Sequence, residues 1–446
     1  MDVLSQLSDF LWNPWLLGLF LFTGLVYSLG SGFFQIFELP RWCKATLGSL
    51  FQSGRKSGGG LSSLQALATA LASTMGTGSI AGVATALTLG GPGAIFWMWI
   101  SALLGMMTGC GEKLLAVHYQ QATPEGGLQG GPMFYLRHGV KSPFLAAWFS
   151  LACLPATLAG GDLVQSSSIA SSLEAAFGAD RLWTGLITTL LAGLVMVGGI
   201  GRIATVSSAL VPAMAALYLG SGAIVLIVRA EAIPAALTSI VSCALSPSAA
   251  LGGGAGWTVT SALRYGVARG VFTNEAGLGT SAMAHGAARV DHPARQGMWG
   301  IFEVCLSTLM VCTVTALVIL VSGVWHPASP NALTGAPLTA AAFASVLGRG
   351  GEGVVALSLL LFAFSSILGW SYYGQQALGY LTGSNRFLPI YRIFFLLCTL
   401  AGALWEPEFV WLLVDLCNAF MALPNLIALL LLSPQALSLL AQWKNK

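Results

Sequence analysis

Two segments rich in glycine and hydroxylated residues interrupt long apolar stretches of this 446-residue chain. Residues 72–82 read Ala-Ser-Thr-Met-Gly-Thr-Gly-Ser-Ile-Ala-Gly, and residues 272–280 read Phe-Thr-Asn-Glu-Ala-Gly-Leu-Gly-Thr. Glycine loosens a helix and leaves backbone N–H and C=O groups without partners, which hydrocarbon cannot satisfy. Freed N–H groups favour an anion, and freed carbonyl oxygens favour a cation. We therefore expect a binding site where the two segments open.

The first segment has the chemistry of a carboxylate site. The N–H groups around Thr77, Gly78 and Ser79 would lie at the N-terminus of a half-helix, whose positive dipole end attracts a carboxylate without any arginine. The alternative is that these glycines only let helices pack closely, as small residues do in membranes. Because the glycines cluster at one depth instead of recurring along one face, the pattern favours ligand binding.

The composition is that of a polytopic membrane protein. Hydrophobic residues make up 56% of the chain and charged residues 8%, and the mean hydropathy is +0.79. Most of the chain must therefore lie in the lipid bilayer or pack within it. The net charge of +3, without a clustered basic face, argues against nucleic acid as a partner. The eight cysteines form no C-x-x-C pair and are interpreted as core residues.

Eleven apolar segments have about the length that a bilayer requires. They lie near residues 14–35, 62–88, 92–120, 143–173, 182–200, 204–228, 257–285, 296–324, 353–381, 387–404 and 408–433. Asp2 and Asp9 precede the first segment in place of a basic region, and its apolar run is too long for a signal peptide, so we interpret it as a retained helix. The predicted fold class is all-α.

The basic residues predict the orientation under the positive-inside rule. One side has Arg181, Arg229 and Arg349 with acidic neighbours. The other side has Arg41, Lys44, Arg55, Lys56, Lys113, Arg137, Lys141, Arg202, Arg289, Arg295, Arg386, Arg392, Lys444 and Lys446. We therefore expect a multi-pass protein of the plasma (inner) membrane, with its N-terminus outside and its C-terminus in the cytoplasm.

The last ten spans form two groups of five that begin on opposite sides of the membrane, which is the pattern of an inverted repeat. The glycine-rich breaks and the next two helices of each group are offset by about 200 to 210 residues. The predicted units are an N-terminal helix with a cytoplasmic connector (1–60), a first repeat (61–230), an external connector (231–256), a second repeat (257–433) and a cytoplasmic tail (434–446). A pair of broken helices at matching places is typical of a secondary transporter.

Several runs of residues resemble one known family. They are Gly-Thr-Gly-Ser-Ile-Ala-Gly-Val-Ala-Thr-Ala at 76–86, Gly-Gly-Pro-Gly-Ala-Ile-Phe-Trp-Met-Trp at 90–99, Asn-Glu-Ala-Gly-Leu-Gly at 274–279 with Ala-His at 284–285, Gly-Gly-Pro-Met-Phe-Tyr at 130–135 and Phe-Ala-Phe-Ser-Ser-Ile-Leu-Gly-Trp at 362–370. They resemble the alanine or glycine:cation symporter family from residue 61 to about residue 382. The resemblance implies a leucine-transporter-type five-plus-five fold in the amino acid-polyamine-cation superfamily. It also implies sodium as the coupling ion and small neutral amino acids, such as alanine and glycine, as substrates.

The resemblance implies further substrate-binding residues. In this fold Gln165 and Trp370 flank the substrate, since an amide can bond its carboxylate or amine and an indole can cap a small side chain. Phe272 is expected to form a wall of the pocket, and Asn274 is expected to offer its carbonyl to the amine or the ion. Gly277 belongs to the second matched motif and is assigned to the same site. Packing alone is the alternative for Gln165 and Trp370.

A sodium site follows from the same resemblance. Ser365 and Ser366 match the family's hydroxyl pair. Together with carbonyls near Ser73, Thr74 and Gly76 they would supply neutral hard oxygen ligands. The alternative is that the serines bond back to carbonyls of their own helix. No other metal and no cofactor is expected, because the five histidines are dispersed.

Two residues depart from the family pattern. Ser79 and Asp162 both occupy positions where asparagine is usual, so polar contacts carried over for Ser79 are in question. Asp162 is functional by default if buried in the membrane, where it would replace a polar contact or add proton sensitivity; the alternative is that it faces a water-filled vestibule.

Other carboxylates are predicted with less specific roles. Glu275 and Glu303 could pair with Arg269, Arg264 or backbone at the second break, either as structural pairs or in gating. Glu112 with Lys113 is interpreted as an anchor near a cytoplasmic helix end.

Two other classes of function remain open. An intramembrane enzyme would need a nucleophile and base or metal ligands at one depth, and these spans supply no such set. An uncoupled or proton-coupled facilitator would keep the fold but lack a competent sodium site. The full spacing of a nucleotide-binding fingerprint is absent around Gly76, Thr77 and Gly78. No oligomeric state is predicted.

Overall fold

The computed structural model describes residues 6–7, 10–12, 14–50, 61–123, 126–245, 258–325, 333–405 and 407–445. Residues 51–60, with Arg55 and Lys56, and residues 246–256 of the predicted external connector lie outside this part, as does Lys446.

Helices make up nearly all of the described chain. In chain order they are α1 Pro14–Gly30, α2 Phe34–Phe37, α3 Leu39–Leu50, α4 Ser63–Thr74, α5 Ala81–Gly90, α6 Gly93–His118, α7 Pro132–His138, α8 Pro143–Leu158, α9 Val164–Phe177, α10 Arg181–Met196, α11 Gly199–Val228, α12 Ile233–Leu245, α13 Val259–Asn274, α14 Thr280–His285, α15 Pro293–Val304, α16 Thr313–Ser322, α17 Gly335–Leu347, α18 Arg349–Thr382, α19 Leu388–Leu404 and α20 Pro407–Lys444. The all-α prediction is confirmed.

Short irregular elements join some of these helices. Three 3₁₀ turns cover Thr77–Ser79, Ala230–Ala232 and Asn385–Phe387. Two π-helical segments, Ala159–Leu163 and Cys305–Cys312, each continue one helix into the next. A two-stranded antiparallel ribbon pairs β1 Gln121–Ala122 with β2 Leu128–Gln129.

Seven helical stretches in the described residues are long and apolar enough to cross a membrane. They are Gly93–His118, Pro143–Phe177, Gly199–Val228, Pro293–Ser322, Arg349–Thr382, Asn385–Leu404 and Val410–Lys444. The remaining predicted spans coincide with shorter helices or with broken ones, and the total of eleven stays a prediction. Helices α3, α7, α12 and α17 lie outside the predicted spans, because they have only 12, 7, 13 and 13 residues and fall short of a span. Helix α20 continues through the predicted tail to Lys444.

Both predicted helix breaks are present. Helices α4 and α5 are separated by residues 75–80, called here the first break, and α13 and α14 by residues 275–279, called the second break. Helix α4 starts with a capping box in which Ser62 and Gln65 bond each other's backbone N–H. In the second break Gly277 and Gly279 have φ angles of +95° and +81°, a region that glycine adopts without steric cost.

The helices around the breaks pack tightly. Helix α6 lies against α13 and α15, and α18 lies against α8, α9 and α11. Helix α1 packs on α6 and α20, where the Tyr27 hydroxyl donates to the Leu429 carbonyl at 2.9 Å. The additional N-terminal helix is therefore part of the packed core and covers the second broken helix from one side.

Candidate functional site at the two breaks

The two breaks meet at a small buried cavity. Its volume of about 10 Å³ leaves room for about one water molecule. The lining residues come from both broken helices, the π segment before α9, and helices α9, α18 and α20: Ser73, Thr74, Gly76, Gly78, Gly160, Gln165, Phe272, Glu275, Leu278, Trp370 and Asn418. Seven residues assigned from the sequence to the substrate or the ion thus share one cavity, and Glu275 joins them.

Gln165 connects α9 to the first break. Its Oε1 accepts from the Thr77 N–H at 3.3 Å, and its Nε2 donates to the Gly160 carbonyl at 3.0 Å. A Cβ atom on Gly76 would lie 3.2 Å from this Oε1 and 2.7 Å from the Ser366 hydroxyl. Only glycine therefore lets α9 and α18 approach the break this closely.

The predicted hydroxyl pair contacts the end of α4. The Ser365 hydroxyl donates to the Ala72 carbonyl at 3.0 Å, and the Ser366 hydroxyl lies 3.1 Å from the same oxygen and 3.0 Å from the Ser73 carbonyl. All of these oxygens are buried and neutral, which is the donor chemistry that sodium accepts in transporters. Ser365 also lies 2.9 Å from the Phe362 carbonyl of its own helix, so the alternative of back-bonding is geometrically available to it.

Aromatic side chains form one wall of the cavity. Trp370 packs edge-on against Tyr373 with 5.8 Å between ring centroids, and Phe272 packs against Trp411 at 5.3 Å. A Cβ atom on Gly161 would lie 2.3 Å from the Trp370 Cβ, so the absence of a side chain there admits the indole. Asn418, which the sequence reasoning missed, lines the same cavity, and its buried Oδ1 has no partner among the described residues.

Six assigned residues do not line the cavity, and two of them, Ser365 and Ser366, contact the end of α4 as described above. Thr77 reaches the cavity only through its N–H to Gln165, and Ser79 offers its carbonyl to the Thr315 hydroxyl at 2.8 Å. Asn274 lines a separate space beside α1 and α6, and its Oδ1 accepts from the Ala276 N–H at 3.0 Å. Gly277 turns its N–H away from the cavity, as described below. The buried hydroxyls of Thr77 and Ser79 have no partner among the described residues.

Asp162 is completely buried in the π segment before α9. Its Oδ1 accepts from the Thr399 hydroxyl at 2.7 Å, and its Oδ2 has no partner among the described residues. The Ser166 hydroxyl, one helical turn after Asp162, donates to the Thr399 carbonyl at 2.5 Å. This second hydrogen bond helps to hold Thr399 against Asp162. In this conformation Asp162 does not face a water-filled vestibule.

A buried charged cluster lies on the far side of the second break. The Glu112 Oε1 atom accepts from the Gly277 N–H at 2.9 Å, from the Gly279 N–H at 3.0 Å and from the Asn425 Nδ2 at 2.7 Å. The Lys113 Nζ lies 3.5 Å from the Glu112 Oε2, and both side chains are completely buried. The prediction that these two residues form an anchor at a helix end was wrong, and Lys113 is no loop cation for the positive-inside count.

Glu303 and His285 complete this cluster. The Glu303 Oε2 lies 3.4 Å from the Lys113 Nζ and 3.2 Å from the His285 Nε2. The His285 Nδ1 accepts a hydrogen bond from the Gln296 Nε2 at 2.6 Å. The ring proton of a neutral His285 is therefore on Nε2, which donates a hydrogen bond to Glu303. The signal for this cluster was present in the sequence, since charged residues inside apolar spans pair with one another.

The arginines near the second break have other partners. Arg269 pairs with Asp415 at 3.7 Å, and Arg264 lies over the Tyr265 ring at 5.7 Å. Glu275 instead accepts from the Thr280 hydroxyl. The predicted pairing of Glu275 and Glu303 with these arginines is therefore not observed.

A large polar cavity lies further along α18. It has a volume of about 890 Å³, and its lining includes Arg137, Gln375, Tyr380 and Arg392. Gln375 is only five residues beyond Trp370, which is about 7 Å along a helix axis. We call this cavity the vestibule.

Seven long apolar helical stretches in the described residues, two broken helices that meet at a buried cavity, and an adjacent vestibule are features of a membrane transporter. The chain belongs to the sodium:alanine symporter family, a family of transporters and not of enzymes, whose sequence profile it matches over residues 1–446.

Relatives in that family align over almost their whole length. An uncharacterized transporter of Haemophilus influenzae is 43% identical over 431 residues, covering 96% of this chain and 93% of that protein. A sodium/alanine symporter of Methanococcus maripaludis is 40% identical over 436 residues, covering 97% and 94%. A probable sodium/glutamine symporter of Bacillus subtilis is 36% identical over 429 residues, covering 96% and 87%.

The fold is also similar to solved structures. A crystal structure of a manganese transporter from Eremococcus coleocola superposes with a TM-score of 0.54 at 18% sequence identity, covering 85% of this chain and 78% of that one. At this identity the likeness supports a shared transporter fold alone.

Proposed function

We propose that this protein couples sodium entry to the uptake of small neutral amino acids, with alanine and glycine as the expected substrates. Sodium binds between α18 and the first break, and the amino acid binds in the cavity beside it. Transport proceeds by alternating access in a five-plus-five inverted repeat of ten spans that follows one additional helix.

The observation that carries the proposal is the contact of the Ser365 and Ser366 hydroxyls with the Ala72 and Ser73 carbonyls. A sodium ion entering this space would meet buried oxygens that bring no net charge. Because Gly76 and Gly78 of the same break line the cavity, the ion and the substrate are neighbours. Binding of one can then stabilise the backbone conformation that the other requires.

The cavity composition supports a small, neutral substrate. Gln165 and Asn418 supply amides for the carboxylate or amine, while Trp370 and Phe272 leave little width for a side chain. A volume of about 10 Å³ is too small for any amino acid, so binding must displace part of the wall. The aromatic wall formed by Trp370 and Phe272 is the part we expect to move.

The position of the vestibule supports substrate release on the cytoplasmic side. It lies at the end of α18 that precedes Arg386 and Arg392, which the positive-inside rule places in the cytoplasm. We propose an N-terminus outside, a C-terminus in the cytoplasm, and substrate release through the vestibule.

The test is uptake of radiolabelled alanine and glycine into proteoliposomes with and without an inward sodium gradient. Accumulation above equilibrium that requires the gradient is expected. Equilibration that ignores sodium would contradict coupling and indicate a facilitator.

A proton-coupled mechanism is the second candidate, and Asp162 is the observation that favours it. A buried carboxylate with one hydroxyl donor and an unpartnered oxygen is a residue type that carries protons in membranes. Uptake driven by an inward proton gradient without sodium, and lost in Asp162→Asn, would favour this mechanism. Sodium-driven uptake in Asp162→Asn with the pH profile of the wild type would exclude it.

A further inference from the structure

The second break is held by a side chain that belongs to neither broken helix. Glu112 lies on α6, and one of its oxygens, Oε1, receives the N–H groups of Gly277 and Gly279. Between them, Leu278 lines the candidate substrate cavity. We propose that Glu112 is a positioning residue for substrate binding: it fixes the backbone on both sides of Leu278 and thereby sets the wall of the cavity.

The contacts leave the second break little freedom around this point. The Asn425 Nδ2 donates to the Glu112 Oε1 at 2.7 Å and to the Gly277 carbonyl at 2.9 Å, so both of its hydrogens are used. The Asn425 Oδ1 in turn accepts from the Tyr135 hydroxyl. The N–H groups of Ala276 and Leu278 are bonded to Asn274 Oδ1 and to the Glu275 carbonyl.

The glycines explain why the break depends on such a support. A Cβ atom at Gly277 would lie 2.6 Å from the Phe20 ring, and one at Gly279 would lie 2.4 Å from Pro132. Both positions therefore exclude a side chain, and glycine is the residue with the greatest backbone freedom. Without an external acceptor, the two buried N–H groups would be unsatisfied and the segment would shift to find partners.

Glu303 provides a matched control. Glu112 and Glu303 lie at 3.5 Å and 3.4 Å from the same Lys113 ammonium group, and both are completely buried. Only Glu112 bonds the backbone of the break, whereas Glu303 bonds His285. Positioning therefore requires the reach of Glu112, and a role in charge balance alone would apply to both carboxylates.

The experiment compares four conservative variants in reconstituted protein. Glu112→Gln keeps the length and the acceptor oxygen but removes the charge, while Glu112→Asp keeps the charge but shortens the side chain by one methylene. Glu303→Gln and Glu303→Asp make the same changes on the other side of Lys113. Because two hydrogen bonds to a buried acceptor are at stake, we expect Glu112→Asp to raise the KM for the amino acid about tenfold.

Glu112→Gln should remain within about threefold of the wild-type KM, since a neutral acceptor weakens these bonds without removing them. Both Glu303 variants should keep the wild-type KM, and all four should keep the sodium concentration for half-maximal uptake. A larger effect of Glu112→Gln than of Glu112→Asp would show that charge matters and reach does not. Equal effects at Glu112 and Glu303 would also overturn the proposal.

The KM measurement rests on the proposed function, so a second readout is independent of transport. Hydrogen–deuterium exchange of peptides covering residues 275–285 should be faster in Glu112→Asp than in the wild type and in Glu303→Asp. Exchange over residues 72–82 should stay unchanged. If the wild type transports no amino acid, the proposed function fails, but the exchange measurement still tests whether Glu112 positions the second break. Unchanged exchange in Glu112→Asp would contradict this role of Glu112, whatever the protein transports.

Discussion

The first and second breaks meet the same problem in opposite ways. Both remove helical hydrogen bonds inside a membrane protein, where water cannot replace them. At the second break, the N–H groups of residues 275–279 all have protein acceptors, and two of them share the Glu112 carboxylate. At the first break the side-chain acceptor is the neutral Gln165. The buried hydroxyls of Thr77 and Ser79 in the break, and of Thr74 directly before it, have no partner among the described residues.

This difference indicates a division of labour between the two broken helices. A backbone whose polar groups are fully used by the protein is a fixed support. A backbone surrounded by neutral polar groups with unused capacity can exchange its partners for a ligand at small cost. The first break therefore has the properties of the binding element, and the second those of the frame behind it.

The largest effect is expected at the first break itself. A Cβ atom on Gly78 would lie 2.9 Å from the Phe272 ring and 3.1 Å from the Thr273 hydroxyl, whereas one on Gly82 would have no atom within 4 Å. Gly78→Ala should lower amino-acid uptake about ten- to hundredfold, since overpacking costs about 1–3 kcal/mol. Gly82→Ala should transport normally. Normal uptake in Gly78→Ala would show that the first break tolerates a side chain here and that transport does not depend on this glycine.

A second change makes the first break resemble the second. Gln165→Glu places a carboxylate beside Thr77 and removes the donor to the Gly160 carbonyl. Since a substrate carboxylate would then face a like charge, we expect the KM for alanine to rise about tenfold. The control is Gln375→Glu, because Gln375 already accepts from the Arg392 Nε at 2.8 Å in the vestibule. A wild-type KM in Gln165→Glu would show that a neutral first break is unnecessary.

The hydroxyl pair tests the sodium side of the comparison. Ser365→Ala combined with Ser366→Ala should raise the sodium concentration for half-maximal uptake about five- to tenfold, at about 0.5–0.7 kcal/mol for each lost hydroxyl. Ser371→Ala is the matched change on the same helix, because the buried Ser371 hydroxyl donates to the Leu368 carbonyl of its own helix. Unchanged sodium dependence in the double variant would contradict the proposal that sodium binds beside the first break.

The smallest effect is expected far from both breaks. The Lys444 ammonium group lies 2.6 Å from Glu38, and Arg41 lies at 3.3 Å. The hydrogen bond from Lys444 and the charge of Arg41 lower the pKa of Glu38 from 4.5. A lowered folded-state pKa means that the stabilisation is present above the ordinary pKa and is lost as pH falls through the lowered one.

Glu38→Gln should therefore have a slightly lower Tm than the wild type at pH 7, and the difference should disappear as pH falls below 4.5 and through the lowered pKa of Glu38. Uptake should not change. Altered uptake kinetics in Glu38→Gln would show that charges outside the two breaks also contribute to transport.

The sequence predicted the elements that depend on local composition. Glycine and hydroxylated residues clustered within apolar runs predicted both breaks. The family resemblance assigned Gln165 and Trp370 to one site, and both line the cavity; it also assigned the two serines, which contact the carbonyls at the end of α4. The broken helices could be predicted because the residues that weaken helical hydrogen bonding lie next to one another in the sequence.

Contacts between distant helices were harder to predict. Adjacent Glu112 and Lys113 looked like a solvated pair at a helix end, because their partners Glu303 and Asn425 are far away in the chain. Asn274 begins the second matched motif, but it is the last residue of α13 and lines the space beside α1 and α6. Periodicity gives the face of a regular helix and loses that information where the helix ends.

The π segment before Gln165 has a consequence for insertions and deletions. A π turn holds one more residue than an α turn, so removing one residue from Ala159–Leu163 could be absorbed locally as ordinary α-helix. Helix α9 would then keep its rotation, and Gln165 would stay beside Thr77. A one-residue deletion that the π segment did not absorb would rotate α9 by about 100° relative to α8, and Gln165 would leave Thr77 although every residue of α9 would still be present. The π segment therefore determines which changes in length between Pro143 and Gln165 the site tolerates, which a comparison of residue identities alone would overlook.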